Sequence, residues 1–523
     1  MSGAGSSDKA PYYITTPIYY VNDKPHIGHV YTTLACDVLA RFMRLDGRKV
    51  KFLTGTDEHG QKVESSAKAR GMEPQAFTDA ISQNFRDLST AWNFSNDDFI
   101  RTTEQRHVAA CQDLWQRLKA AGDIYLDKYA GWYAVRDEAF FGEEELTEDA
   151  QGQKYAPSGA MVDWVEEPSY FFRLSRWQQP LLDFYAENPE FVGPDARRNE
   201  VISFVKGGLR DLSVSRTTFS WGIPVPDDPN HIMYVWLDAL TNYLTAVGYP
   251  DTDALDYRMF WPANLHMVGK DILRFHAVYW PAFLLAAGMP PPQRVYAHGW
   301  WTVEGQKMSK SLGNVIDPYE IIERYGLDQA RYFMLREVPF GNDGDFSHRA
   351  VVTRINNDLA NDLGNLAQRS LSMIYKNCGG EIPEPGDFTE SDNAMLRKVD
   401  GLLGRMRGHL EVQAFQKSLE EAWSVVGEAN RYIDEMAPWV LRKTDRTRME
   451  TVLYVLAEVV RQLAIVTQPY MTNGPTALLD QIGQGSAARD FAALRTRLEP
   501  GRRIAKPQGV FPRFVETENP GEA

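Results

Sequence analysis

Two clusters in this 523-residue chain carry side chains suited to phosphate chemistry: His26-Ile27-Gly28-His29 and Lys307-Met308-Ser309-Lys310-Ser311. In the first, two imidazoles three residues apart stand where a helix is expected to begin, beside unpaired N–H groups and the positive end of the helix dipole. Gly28 between them lacks the side chain that would keep a nucleotide off the backbone. In the second, Lys307 and Lys310 place two cations on a segment bounded by Gly305 and Gly313. Such a loop suits the negative charge that develops on transferring phosphates. Taken singly, each cluster has a plainer reading: a histidine pair capping a surface helix, and a solvated lysine loop. Together they imply two loops, from opposite halves of one fold, closing over one nucleotide, and therefore an ATP-dependent enzyme.

The elements that must position these residues follow from periodicity. The aromatic and β-branched run Tyr12 to Tyr20 reads as a strand, and Asn22-Asp23-Lys24-Pro25 as a turn. A helix then begins near His26, with Leu34, Val38, Leu39, Phe42 and Leu45 at helical spacing and Gly47 placed to stop it. A strand from Val50 to Thr54 leads into Asp57-Glu58-His59-Gly60, followed by an amphipathic helix ending at Gly71. Ligands of open parallel sheets bind at the carboxyl ends of strands, where that loop lies. Between Asp123 and Glu200 short β-like pieces and the acidic run Glu143-Glu144-Glu145 mark an insertion. The α/β pattern returns with a strand around Met233 to Trp236, a helix from Asp271 to about Ala287, and a strand ending near Val295 to Trp301. Asp317 then caps a helix that has Pro318 in its first turn and Glu320 at its third position. Beyond Ser347 the strand signals stop, and amphipathic stretches over 349–376, 391–411, 413–436 and 446–468 predict an α-helical bundle.

Composition bounds these readings. With 43% hydrophobic residues the chain can build two or three domains with cores of their own. Residues 1–10 are polar and no run approaches a membrane span, so the expected location is the cytoplasm, with no membrane partner. Cys36, Cys111 and Cys378 are too scattered for a disulfide framework or a cysteine metal site. The net charge of −14 comes almost entirely from residues 1–349, so any RNA must be bound by local basic patches and stacking rather than by a global field.

Several strings, in order, identify a family resemblance: P-I-Y-Y-V-N then H-I-G-H, T-G-T-D-E-H-G at 54–60, Y-V-W-L-D-A-L at 234–240, V-G-K-D-I-L-R-F-H at 268–276, and K-M-S-K-S. From Tyr12 to about Val515 the chain resembles the methionyl branch of the class I aminoacyl-tRNA synthetases. The resemblance implies an α/β fold: a Rossmann-like parallel-sheet catalytic domain over 11–122 and 201–347, split by a connective insertion over 123–200. A helical anticodon-binding domain over 348–515 would follow, with a disordered 1–10 and a tail at 516–523. It implies that ATP, with Mg²⁺, is held by His26, Gly28, His29, Gly299, Lys307, Met308, Ser309 and Lys310, of which His26, His29, Lys307 and Lys310 are catalytic. L-Methionine would meet Ile18, Tyr20, Asp57, Arg216, Trp236, Ala239, Leu240, Tyr243, Ile272 and His276, with Asp57 receiving the amino group and Arg216 pairing with Asp57. Asn365, Arg369 and Trp439 would read the anticodon of tRNA(Met), initiator included, through stacking and base-edge hydrogen bonds.

Two family features are missing from this sequence. Many relatives carry a zinc knuckle of paired C-x-x-C motifs in the insertion. Here Ala134 and Asp137 replace one pair and Ala156-Pro157-Ser158-Gly159 the other, so no metal site and no zinc are expected, and packing of Trp132, Tyr133, Phe140 and Phe141 would close the element instead. A C-terminal dimerising extension is also lacking, which predicts a monomer. The alternatives are another class I enzyme, for leucine, isoleucine or valine, and a catalytically inactive tRNA-binding relative.

Overall fold

Tyr13, Ile14, Phe52 and Leu53 are shielded from solvent on both faces of their strands, the burial pattern of a parallel sheet covered on both sides. The computed structural model describes residues 9–21, 24–137, 139–308 and 314–516, leaving aside the side chains of Tyr129, Glu167 and Lys307. The chain divides into two compact units, one of Pro11–Pro25 and Val50–His298, the other of Met1–Ala10, His26–Lys49 and Gly299–Ala523.

In the first unit the sheet runs in the order Val192–Gly193, Val295–His298, Leu265–Gly269, Tyr12–Thr15, Val50–Asp57, Tyr19–Tyr20, with Asp98–Arg101 also paired to Val50–Asp57. Every pairing is parallel, and Ile14 lies opposite both Phe52 and Leu265. One apolar cluster of this unit holds Trp115, Phe172, Leu240, Tyr243 and Trp280, and a second gathers Val63, Phe77, Phe85 and Phe99. The insertion is antiparallel: Ile124–Ala134 pairs with Asp163–Phe172 along its length, from Ile124 opposite Phe172 to Tyr133 opposite Asp163. Ala139–Phe141 and Leu212–Ser213 complete that sheet.

Two expectations here need correction. The strand expected around Met233 to Trp236 is Asp228–Met233, and Trp236 already belongs to the helix Val235–Thr245 that extended Tyr234 initiates. The helix expected from Asp271 is broken into a 3₁₀ turn at Lys270–Ile272, a π turn at Phe275–Tyr279 and an α-helix at Trp280–Ala286. Pro281 has no N–H to give to the carbonyl of Ala277. The Tyr185 hydroxyl donates to that carbonyl instead, at 2.6 Å.

The second unit holds the helix Ile27–Leu45, followed by Gly47 with φ 81°. Trp301–Val303 pairs antiparallel with Gln306–Lys307 and parallel with Gly344–Phe346. Asp317 caps Pro318–Tyr325 by accepting from the Tyr319 N–H, and Leu327–Arg336 follows. The bundle centres on Arg446–Thr467, in which every residue from Thr451 to Thr467 is buried. A helix buried on every side is the core of its bundle, and the polar residues it buries there are bonded, Arg461 and Gln462 to Glu458. Asn365–Asn377, Glu390–Asp400, Phe415–Met436 and Pro438–Thr444 pack on it. The stretch expected to be one helix over 349–376 is α-helical at His348–Arg354, π-helical at Ile355–Gly364 and α-helical again at Asn365–Asn377.

Asp37, midway along the helix Ile27–Leu45, and Arg331 have fully buried side chains 2.6 Å apart. Arg331 also donates to the carbonyls of Tyr470 and Pro469 at 2.9 and 3.0 Å, while Arg41 donates to Asp37 at 2.8 Å. Removing one partner of such a pair leaves an uncompensated buried charge. Arg331→Met is expected to lower the stability of this unit by about 3–5 kcal/mol in urea unfolding; a loss under about 1 kcal/mol would show that Arg41 alone compensates the Asp37 charge.

Candidate functional site

The helix at His26 begins with a reciprocal cap. His26 adopts extended backbone geometry, its Nδ1 accepts from the Gly28 N–H at 3.1 Å, and the His29 Nδ1 accepts from the His26 N–H at 3.0 Å. The rings lie 3.9 Å apart. N–H groups expected to remain open for an anion are thus met by the histidines themselves, and the space that Gly28 leaves is taken by the His26 ring, 2.9 Å from where a Cβ would stand. Acceptance at Nδ1 assigns each ring proton to Nε2. Burial, then the neighbouring His26, hold His29 well below the usual histidine range, so it is a neutral donor at physiological pH.

Gly299 is a close-packing position. A Cβ there would come within 2.3 Å of the Asn342 carbonyl oxygen. Lys307 pairs through its backbone with Thr302, and Met308 is half-buried. Ser309 and Lys310 lie outside the described residues.

In the other unit, Ile18, Tyr20, Trp236 and Ile272 are partly buried against the core that contains Leu240 and Tyr243. Ala239 is buried on the same helix. The Tyr243 hydroxyl bonds His276 Nε2 at 2.7 Å, and His276 Nδ1 donates to the Ile272 carbonyl at 2.9 Å. That second bond fixes the tautomer in which Nε2 accepts. Burial outweighs the Ile272 bond and the Asp271 charge and pushes His276 down to about 4. Phe275 stacks on Trp236 at 3.7 Å, and His266 stacks on Tyr243 at 4.0 Å. The result is a neutral wall of aromatic and imidazole faces. Phe275 and His266 were not singled out from sequence, although Phe275 sits in the same V-G-K-D-I-L-R-F-H string as His276.

Asp57 ends its strand with only 7% of its surface exposed. The expected pair with Arg216 is not formed. Arg216 gives its hydrogen bonds to Ser213 Oγ at 2.8 Å and the Ser215 carbonyl at 2.7 Å, and its guanidinium lies 4.6–5.5 Å from the rings of Tyr234, Phe140 and Tyr133. Its Nε is buried without a partner. Three rings around a cation and two oxygen acceptors on one side hold the guanidinium without the carboxylate.

Two groupings bear on metals. At the knuckle positions Ala134 and Ala156 are buried with Ala160 and Val162 in a small apolar cluster, while the Ser158 hydroxyl donates to Asp137. The thiolate set of a structural zinc site is replaced there by methyl groups and one hydrogen bond, so these residues do not fit that metal. Tyr133 and Phe140 pack ring to ring at 4.7 Å, as expected for closure by packing. Elsewhere His107, Cys111 and Asp238 bring donor atoms within 4.8 Å of one another. His107 Nε2 and Asp238 Oδ1 are 2.7 Å apart, a hydrogen bond with its proton in place rather than two ligands spaced around an ion.

In the bundle, Asn365 is exposed at the start of its helix, and the Arg369 guanidinium lies 5.2 Å from the Trp439 ring while bonding Asp434 at 2.6 Å. Trp439 is 41% exposed. It stands just past Ala437, whose φ of 42° and ψ of 59° turn the chain sharply between two helices.

The family profile "tRNA synthetases class I (M)" matches residues 12–371, most of the chain. The chain belongs to the methionyl class I tRNA synthetases. A second profile, "Anticodon binding domain of methionyl tRNA ligase", matches residues 382–521. A methionine–tRNA ligase of Rhizobium meliloti is 56% identical over 513 residues, covering 98% of this chain and 99% of the relative. One from Mycobacterium bovis is 54% identical over 515 residues, with the same coverage of both. Among solved structures, Mycobacterium tuberculosis methionyl-tRNA synthetase in complex with methionyl-adenylate aligns with a TM-score of 0.95 at 54% identity, over 97% of this chain and 100% of that one. The class I fold, a parallel-sheet domain with a helical C-terminal region, is common to them.

The depressed His276 gives this family member a pH signature. Between its folded value of about 4 and the ordinary 6.5, the unfolded chain binds a proton that the folded chain refuses, so this contribution to stability is complete above pH 6.5 and is lost as pH falls toward 4. One such group gives a slope of about 1 kcal/mol per pH unit. His276→Asn should flatten the acid limb of stability against pH by about that amount, measured by urea unfolding across the same window; an unchanged slope would contradict the buried neutral ring.

Proposed function

We propose that this chain activates L-methionine with ATP, forming methionyl-adenylate and pyrophosphate, and then transfers the methionyl group to the 3′-terminal ribose of tRNA(Met), initiator included. The observation that carries the reading is the Tyr243–His276 bond beside the Trp236–Phe275 stack. A thioether is a weak acceptor and a soft, polarizable group, and this wall offers polarizable faces with no ionised side chain among those four residues. Leu240 and Ala239 add apolar surface, and Ile18, Tyr20 and Ile272 complete the set assigned to the side chain. The 54% identity to a protein solved with methionyl-adenylate supports the same substrate. Selection of leucine, isoleucine or valine is not favoured by either line.

In the first step a methionine carboxylate oxygen bonds the α-phosphorus as the bond to the bridging oxygen breaks, and pyrophosphate leaves with that electron pair. The nucleophile is a substrate, so the chain supplies orientation and charge stabilisation rather than a covalent partner. We assign His26 and His29, donors at Nε2, to the phosphates of MgATP, with Gly28 leaving room for the His26 ring and Gly299 for the Asn342 carbonyl. Lys307 and Lys310, flanking Met308 and Ser309, are assigned to charge on the departing pyrophosphate. Asp57 receives the amino group. The spare Nε of Arg216 gives this residue capacity to pair once a carboxylate approaches. In the second step the ribose hydroxyl attacks the methionyl carbonyl and AMP leaves. Asn365, Arg369 and Trp439 are assigned to the anticodon, where an exposed indole beside a guanidinium offers a stacking surface for an unpaired base. The enzyme is expected to act as a monomer in the cytoplasm without zinc.

Methionine-dependent exchange of pyrophosphate into ATP tests the reading. Among the twenty amino acids methionine should support the fastest exchange, and treatment with a chelator followed by added Mg²⁺ should leave the rate unchanged. Faster exchange with leucine or isoleucine overturns the assignment. Trp439→Ala should leave exchange and the melting temperature nearly unaltered, because the ring is exposed, while charging of tRNA falls by the ~1–3 kcal/mol of one base–aromatic stack. A mutant that charges tRNA normally would remove Trp439 from the interface.

A further inference from the structure

Helix Val235–Thr245 has two faces. Trp236, Ala239, Leu240 and Tyr243 share one of them, and at about 100° per residue Asp238 projects from the opposite side. Asp238 is 1% exposed, and two histidines from different elements bond its carboxylate: His59 Nδ1 to Oδ2 and His107 Nε2 to Oδ1, each at 2.7 Å. His59 stands two residues past Asp57, and His107 lies on the helix Gln105–Ala120, with its Nδ1 bonded to Thr245 Oγ1 at 3.1 Å. The Cys111 thiol, one turn after His107, lies 3.7 Å from the Asp238 carbonyl oxygen. One carboxylate therefore joins the back of the side-chain wall to the turn that follows the proposed amino-group acceptor.

From this juxtaposition we infer that Asp238 is a positioning residue for methionine, holding the wall of Trp236, Ala239, Leu240 and Tyr243 in register with Asp57. The inference rests on the function proposed above. A substrate whose amino group and side chain are gripped by different elements binds only if those elements keep a fixed separation, and here the separation is set by two short hydrogen bonds to one buried charge. Burial pushes the Asp238 carboxyl up, but the charge of His59 and the hydrogen bonds from both rings outweigh it and hold it down at about 2, so the clamp stays ionised at any pH at which the enzyme works. ATP is assigned to other residues, so a loosened clamp should be felt by one substrate and not by the other.

The experiment uses the full chain in pyrophosphate exchange, with KM for methionine and for ATP measured separately. Asp238→Asn keeps the shape and removes the charge. It should raise KM for methionine about tenfold or more, the size of one lost charge-assisted hydrogen bond, with kcat and KM for ATP within about twofold of wild type. His107→Ala should do the same and His107→Gln, which restores a donor, should recover part of the loss. These two variants decide the matter if Asp238→Asn does not fold. An unchanged KM for methionine in folded variants, or equal rises for both substrates, overturns the inference. Wild-type chain that shows no methionine-dependent exchange overturns the proposed function first, and the inference with it.

Discussion

A charge taken out of water must be matched where it stands, and the way this chain matches its buried charges decides how its elements join. Asp37 sits midway along the helix that His26 opens, and without Arg331 it would cost several kcal/mol to keep there. The same guanidinium collects two carbonyls from the turn after the central bundle helix, so one side chain aligns that helix, its own helix and the turn. Asp328 repeats the device by accepting N–H groups of Thr472, Asn473 and Gly474 where a further helix starts. Within the bundle core, Glu458 accepts from Arg461, Gln462 and the Leu498 N–H. Buried ion pairs contribute little net stability compared with apolar packing, but a misaligned element leaves them unmatched.

Asp238 obeys the same constraint in the other unit and shows how it shades into function. Its two histidine partners satisfy the carboxylate and also place a helix whose opposite face is assigned to substrate. Tyr243 and His276 make a parallel case without formal charge, since each ring is held by a bond that also fixes which atoms point at the wall. In the insertion the same need for closure is met in a third way, by the methyl groups of Ala134, Ala156 and Ala160 packed against Val162.

Much of this was legible in the sequence, and the boundary falls along range of interaction. The bundle helices were readable because apolar residues recur at 3.6 in one continuous stretch, and the Asp317 cap because its partners are local. The strand read over Val50 to Thr54 was found from its composition, and the structure extends it to Asp57. What the sequence hid depended on a distant partner: Tyr185 rescuing the carbonyl that Pro281 abandons, Ser213 and Ser215 taking the guanidinium of Arg216, and His107 reaching Asp238. Within the candidate site, the histidine pair was readable as chemistry, but its reciprocal capping was visible only as the plainer of two readings. His59 and Asp238 lay inside quoted motifs and still went unremarked, because a motif string shows which residues stand together in order and not which ones touch.

The π-helical segment Ile355–Gly364 bears on how this part of the chain can change over generations. A wide turn of this kind accommodates more residues than a turn of the regular helix does. Losing a single residue there closes a wide turn to a regular one and leaves the preceding helix facing as before relative to Asn365 and Arg369, whereas the same loss from a regular helix would swing it by about 100°. The length of this segment is therefore less tightly constrained than that of the regular helix Asn365–Asn377 that follows it, and lineages should tolerate a one-residue gap here more readily than there.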